Sequence, residues 1–250
     1  IGANGILRKI LKVLEKIANV VVKDTDEKEE YVFFDERLFK TPSVAIEECN
    51  ALTIKMSEIA RDTIGTALKL VEKYDDKVAQ ELLESENVLD MYEDKLGTIL
   101  VRLSGKSLSA SDSRKIARLL HTIGDFERIG DHAVNLVGVA QEIKEKSIEF
   151  SDAAKEELHV LANAVDEIIT IAVDAFKNND IDYAGKVEPL EEVIDRMVDV
   201  IKLRHIKRLQ AGNCTIEHGF VLADLLNNYE RVSDHCSNIA VAVIEAQNNT

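Results

Sequence analysis

Across residues 6–22 the apolar side chains Ile6, Ile10, Val13, Leu14, Ile17 and Val21 recur at three- and four-residue steps, the spacing of one helical face. The other face carries Arg8, Lys9, Lys12, Lys16 and Lys23, opposed only by Glu15. A basic amphipathic helix is predicted there, of the composition that lies on an anionic membrane surface or docks on the rest of a fold. Residues 24–40 lose the period in a charged and then aromatic connector, Tyr31-Val32-Phe33-Phe34. Thr41-Pro42 reads as an N-cap followed by proline at the first helical position. Three long helical patterns follow, about 42–73, 76–103 and 112–146, broken at Tyr74-Asp75-Asp76 and in the serine-rich run 104–113. After residues 147–151 three more cover about 152–177, 181–210 and 215–247, with turns at Asn178-Asn179-Asp180 and Gly212-Asn213. The expectation is an all-α protein, an elongated six-helix bundle of two tandem three-helix repeats. The repeats span residues 41–148 and 149–250, behind a basic helix and linker at 1–40.

The third helix of each repeat carries the same polar set. Glu127-Arg128-Ile129-Gly130-Asp131-His132-Ala133-Val134-Asn135 returns 103 residues on as Glu230-Arg231-Val232-Ser233-Asp234-His235-Cys236-Ser237-Asn238. Core packing alone reuses apolar positions, so recurrence of the charged ones points to two copies of one chemical device. Glu127, Asp131 and Asn135 share one helical face, as do Glu230, Asp234 and Asn238. Carboxylates one turn apart repel each other unless a cation or basic side chain lies between them. The second helix of each repeat offers Glu86, Asp90 and Glu93 and, at an offset of 102, Glu188, Glu192 and Asp195. Facing helices so equipped form an oxygen-rich pocket suited to magnesium, calcium, manganese or iron more than to zinc or copper. A metal-free alternative uses the same residues: Arg128 and Arg231 neutralise the carboxylates in ion-pair networks, with His132 and His235 capping them by hydrogen bonds.

Composition narrows the function classes. A net charge of −15 argues against a nucleic-acid partner, whose phosphates would be repelled. Two prolines and 5% aromatics suit a helical protein. Cys49, Cys214 and Cys236 are odd in number and far apart, which fits free thiols in a reducing compartment. No apolar run approaches the ~20 residues that span a bilayer. The chain has no His-Glu-x-x-His, phosphate-binding glycine loop or Gly-x-Ser-x-Gly elbow, and no nucleophile or substrate pocket is nominated. A non-enzymatic role is expected.

The segment Ile123-Gly124-Asp125-Phe126-Glu127-Arg128-Ile129-Gly130-Asp131-His132 resembles the signature of the PhoU family of phosphate-uptake regulators. Asn228-Tyr229-Glu230-Arg231-Val232-Ser233-Asp234-His235 is similar to its second-repeat counterpart. The resemblance covers about residues 42–247. It implies a two-repeat six-helix bundle binding multinuclear clusters of iron, manganese, magnesium or zinc through Glu/Asp-x-x-x-Asp motifs. The implied ligands are Glu127, Asp131, Glu230 and Asp234, with Glu86, Asp90, Glu188 and Glu192 from the neighbouring helices. Asp125 is a further anionic candidate, which becomes Asn228 in the second repeat. Pro189 beside Glu188 is expected to kink the helix and reshape the second pocket, so the first site ranks above the second.

Residues Phe34-Asp35-Glu36-Arg37-Leu38-Phe39-Lys40-Thr41-Pro42-Ser43-Val44-Ala45 are similar to the linker joining a membrane sodium/phosphate cotransporter to its cytosolic PhoU-like tail. That likeness implies a regulatory domain on the cytoplasmic side of the inner membrane. Its partners would be a transmembrane transport domain, metal ions, phosphate attracted by the metal, and anionic lipid against residues 6–22. The start at Ile1 instead of methionine agrees with such an arrangement. The alternatives are a free-standing PhoU-type adaptor between a phosphate-importing ATPase and its sensor kinase, and a metal-free scaffold that homodimerises through apolar faces.

Overall fold

Thr41-Pro42 opens the first long helix where the sequence places it: α1 spans Pro42–Glu72 with proline in its first turn, although the Thr41 hydroxyl makes no capping bond. The computed structural model describes residues 34–248, in which a 3₁₀ turn at Glu36–Lys40 precedes α1. The expected basic helix at 6–22, and the connector up to Phe33, lie outside the described residues. Asp75 caps α2 (Asp76–Ser104) by accepting from the Lys77 and Val78 amides. Ser109 caps α3 (Ala110–Glu145) and Ser151 caps α4 (Asp152–Asn178), each through its hydroxyl. Asp180 caps a single turn, α5 (Ile181–Ala184), before α6 (Val187–Gln210) and α7 (Ile216–Asn248).

The one departure from the expected helices is the break at Gly185-Lys186. Pro189 lies in the first turn of α6, where its missing N–H has no intrahelical acceptor to serve. Its ring would clash with the carbonyl four residues earlier, at Gly185, so proline fixes where α6 starts and does not kink its interior.

Helices α1, α2 and α3 pack on one another, as do α4, α6 and α7, and the main contact between the trios is α3 against α7, with α1 against α4 beside it. Each helix buries its periodic apolar stripe: Leu82, Leu89 and Leu96 on α2, Val187, Ile194 and Ile201 on α6, and Leu161, Val165, Ile168, Ala172 and Phe176 on α4. Phe126 of α3 and Tyr229 of α7, which precede the two motifs, are fully buried. Phe126 meets Phe176 edge to face at 5.4 Å between centroids, a contact that ties the first trio to the second. All three cysteines are free, and burial pushes the Cys49 thiol up to about 12 and the Cys236 thiol upward as well, so both are unreactive packing residues.

The close approach of α2 to α3 depends on Gly130. A Cβ there would stand 2.6 Å from Leu89 Cδ1, and Leu89 is wholly buried. Gly130→Ala should therefore cost about 1–3 kcal/mol through overpacking. A shift in the urea midpoint at constant m measures it; an unchanged midpoint would mean that Leu89 moves aside freely.

Candidate functional site

Gly130 sits between Glu127 and Asp131, so the point of closest approach is also where α2 brings Glu86 and Asp90 to α3. Glu127 is about four-fifths buried and Asp131 two-thirds, their side chains 20% and 34% exposed, both bridged by Arg128: Nη1 donates to Asp131 Oδ2 at 2.9 Å and Nε lies 3.4 Å from Glu127 Oε2. The single guanidinium does not balance the site. Burial, then the Asp131 charge, raises Glu127 to about 6 against the opposing pull of Arg128, with Asp90 and Glu93 adding smaller repulsion. Glu86 is raised by burial and by Asp90 and Asp131; Asp90 is raised by burial, Asp131 and Asp94.

The second repeat builds the same arrangement in a different register from the expected one. Glu191 and Asp195 of α6, not Glu188 and Glu192, face Glu230 and Asp234. Glu191 is raised by burial and by Asp195 and Asp234, with smaller repulsion from Glu192 and Glu188. Asp195 is raised by burial and by Glu230 and Asp234. Glu188 is exposed, and Glu192 turns to solvent beside Arg196 of its own helix. The true offset between the second helices is 105 (Glu86 to Glu191, Asp90 to Asp195). The buried stripe carries that signal: Leu82, Leu89 and Leu96 correspond to Val187, Ile194 and Ile201 at the same offset. Matching charges to charges at 102 misses it, because the break at Gly185-Lys186 lengthens the second repeat ahead of α6.

The two clusters differ in the cation they already contain. Lys202 reaches Glu230 at 3.4 Å, while its counterpart in α2 at the offset of 105 is Gly97. Arg231 pairs with Asp234 at 3.3 Å, as Arg128 does with Asp131. The second cluster thus holds an ammonium that the first lacks, and this, not Pro189 or Asn228, distinguishes the pair.

Asp125 is the clearest displacement from its expected role. It faces α7 and not α2, accepting from His235 Nδ1 at 2.9 Å and from Asn238 Nδ2 at 3.2 Å. The reciprocal bond runs from His132 Nδ1 to Asn228 Oδ1 at 2.9 Å, and the two imidazoles lie 5.6 Å apart. The histidines therefore cross-link the repeats and do not cap the carboxylate networks. Burial holds His132 below its ordinary value, so it is neutral at pH 7 and donates through Nδ1.

The donor set can be tested against a metal. Oxygen donors only, close together and partly withdrawn from water, fit a hard cation. Asp195 Oδ1 is buried with no hydrogen-bond partner, an unspent acceptor in the second cluster. Among the described residues, however, no three His, Cys, Asp or Glu side chains are gathered into a formed cage. The carboxylates face one another across α2–α3 and α6–α7 without closing on a point.

The site is thus a pair of carboxylate clusters carried on a duplicated three-helix unit of an all-helical bundle. The PhoU domain model matches residues 53–140 and again 158–243, so the chain belongs to the PhoU family. It is 27% identical over 194 residues to phosphate-specific transport system accessory protein PhoU homolog 1 of Thermotoga maritima, covering 76% of this chain and 82% of that one. It is 23% identical over 195 residues to the accessory protein PhoU of Escherichia coli, covering 78% of this chain and 80% of that one. The fold matches the crystal structure of PhoU from Pseudomonas aeruginosa with a TM-score of 0.76 at 23% identity, over 85% of this chain and all of that one. It also matches the phosphate transport system regulatory protein PhoU from Streptococcus pneumoniae, with a TM-score of 0.74 at 17% identity.

Proposed function

We propose that this protein is an accessory regulator of phosphate uptake that acts by contact, without catalysing a reaction, linking a phosphate importer to the apparatus that senses supply. The observation that carries the reading is the duplicated carboxylate cluster within a PhoU fold, together with relatives whose names describe accessory proteins of phosphate-specific transport systems. Those relatives favour the free-standing adaptor over the tail of a sodium/phosphate cotransporter. The cotransporter reading keeps one specific observation in its support, the linker-like segment leading through Glu36–Lys40 into α1. Among the described residues no helix is long and apolar enough to cross a membrane. Exposed apolar side chains on α6 and α7, among them Leu203, Ile206, Ile216 and Phe220, support a protein partner or a second copy on that edge.

Metal binding belongs to the same proposal. Glu86, Asp90, Glu127 and Asp131 would hold a hard cation such as manganese, magnesium or iron, and Glu191, Asp195, Glu230 and Asp234 a second. The bound ion would supply positive charge between α2 and α3 and hold their separation fixed, which gives a partner a defined face to read. Lys202 makes the second site the weaker.

Deletion of the gene is the decisive experiment. Phosphate uptake at replete supply, and a phosphate-starvation reporter, should both change, and expression of the chain alone in the cytoplasm should restore them. Restoration only when the chain is fused to a transport domain would favour the cotransporter reading. Unaltered uptake and reporter output would end both.

A further inference from the structure

At the N-terminal end of α3, that helix, α1, the turn after α4 and Ala246 near the end of α7 line a cleft of about 360 Å³. Its wall is basic in a protein of net charge −15: Arg114, Lys115 and Arg118 line it, against Glu47 as the one acid among the described residues. Arg118 is the centre of the arrangement. Nη1 donates to Asn179 Oδ1 at 2.7 Å and Nη2 to Asn50 Oδ1 at 3.2 Å, both neutral amide oxygens. Its Nε is buried and has no hydrogen-bond partner. The guanidinium lies 5.5 Å from the Phe176 ring, and Glu47 is taken up by Lys115. Burial lowers the Arg118 pKa, with Glu47 opposing only in part. A half-buried cation normally acquires an anionic partner, because desolvating an unpaired charge is costly. Here one donor of the fork is unspent, and two further cations stand at the mouth.

We propose that this cleft is an oxyanion site whose ligand is inorganic phosphate, held by Arg118 with Arg114 and Lys115. Guanidinium groups match tetrahedral oxyanions through parallel charge-assisted bonds. A local basic wall also concentrates an anion that the rest of this surface repels. Arg114 and Arg118 also border a second pocket that runs along α3 to Glu93, Asp125, Glu127 and Glu245, but none of Glu86, Asp90, Glu127 and Asp131 lines the cleft itself, and phosphate binding there requires no metal. Its meaning for uptake rests on the function proposed above, since a regulator with such a cleft reads phosphate directly; the binding itself does not rest on it.

Calorimetric titration of inorganic phosphate into the full chain tests the site, in chelator-treated buffer with chloride holding ionic strength constant. Saturable binding is expected, weakened about tenfold or more by Arg118→Gln and by Arg114→Gln, and unaltered by Glu127→Gln. Arg114 is exposed, so its variant retains the fold even if Arg118→Gln does not. Glycerol 3-phosphate binding more tightly than phosphate would keep the oxyanion site and overturn free phosphate as its ligand. Binding that needs added metal, or that disappears in Glu127→Gln, would move phosphate to the carboxylates and overturn the site. No saturable binding up to about 10 mM phosphate, a standard free energy near −2.7 kcal/mol, would also overturn it. Phosphate binding here in a protein whose deletion leaves uptake unchanged would retain the site and remove the regulatory reading.

Discussion

Phe126→Ala is expected to destabilise the protein by about 3–5 kcal/mol, a large part of the ordinary stability of a domain. The side chain is wholly buried, and its edge-to-face partner Phe176 belongs to the other trio. Truncation therefore opens a cavity where the repeats join and not merely within one of them. The loss should appear as a lower urea midpoint with little change in m. Phe220→Ala is the control: that ring is 69% exposed, and its removal should stay within about 0.5 kcal/mol. A Phe126 variant as stable as the control would mean that the trios are held together elsewhere, with α1 against α4 the next candidate.

Glu127→Gln should make the metal-free protein more stable at neutral pH while weakening its hold on metal. The folded state raises this carboxyl from 4.5 to about 6, so the folded protein binds the proton more tightly than the unfolded chain. The sign follows from that: the contribution is most favourable below the unfolded value, is lost as pH rises through the folded one, and leaves the ionised group destabilising above it. The penalty near pH 7 is about 2 kcal/mol, because each tenfold change in proton affinity is worth roughly 1.4 kcal/mol. Glu86, Asp90, Glu191 and Asp195 are displaced in the same direction. His132 runs oppositely, because its depressed value contributes stability that is lost as pH falls. The difference between variant and parent isolates Glu127 from that opposing contribution. Melting temperatures in chelator should converge near pH 4.5 and separate toward pH 7, with the variant higher. Manganese or iron should raise the melting temperature of the parent and do so less for the variant, and elemental analysis after loading should show the deficit. A variant that melts lower than the parent at pH 7, or loads metal equally, would remove the charge-strain account of the site.

Most of the helical architecture is legible in the sequence because its signals are local. Asp75, Ser109 and Ser151 cap helices by bonds to amides two or three residues away, and such bonds need no tertiary structure. The motif pair is equally plain, since Glu127, Asp131, Glu230 and Asp234 recur at fixed spacing and face their neighbouring helices as expected. Partners on other helices are harder. Pairing charge with charge selects Glu192 over Glu191, because it ignores the buried stripe that α2 and α6 share. Asp125 lies two residues from Glu127 and so groups with the carboxylates on paper, yet two residues on a helix is a turn of about 200°, onto another face.

The element set, the duplication and the acidic character of the motif are thus written in the chain alone, all properties of positions close together along it. Packing in three dimensions sets which carboxylates meet, that Lys202 occupies the second cluster, that His132 and His235 clasp Asn228 and Asp125 between the repeats, and that Arg118 lies half-buried with its Nε unpartnered. The reason is geometric. Periodicity states which face of a helix is apolar, while the residues opposite a charged face depend on register and helix separation. Here a break at Gly185-Lys186 and a missing side chain at Gly130 set those two quantities.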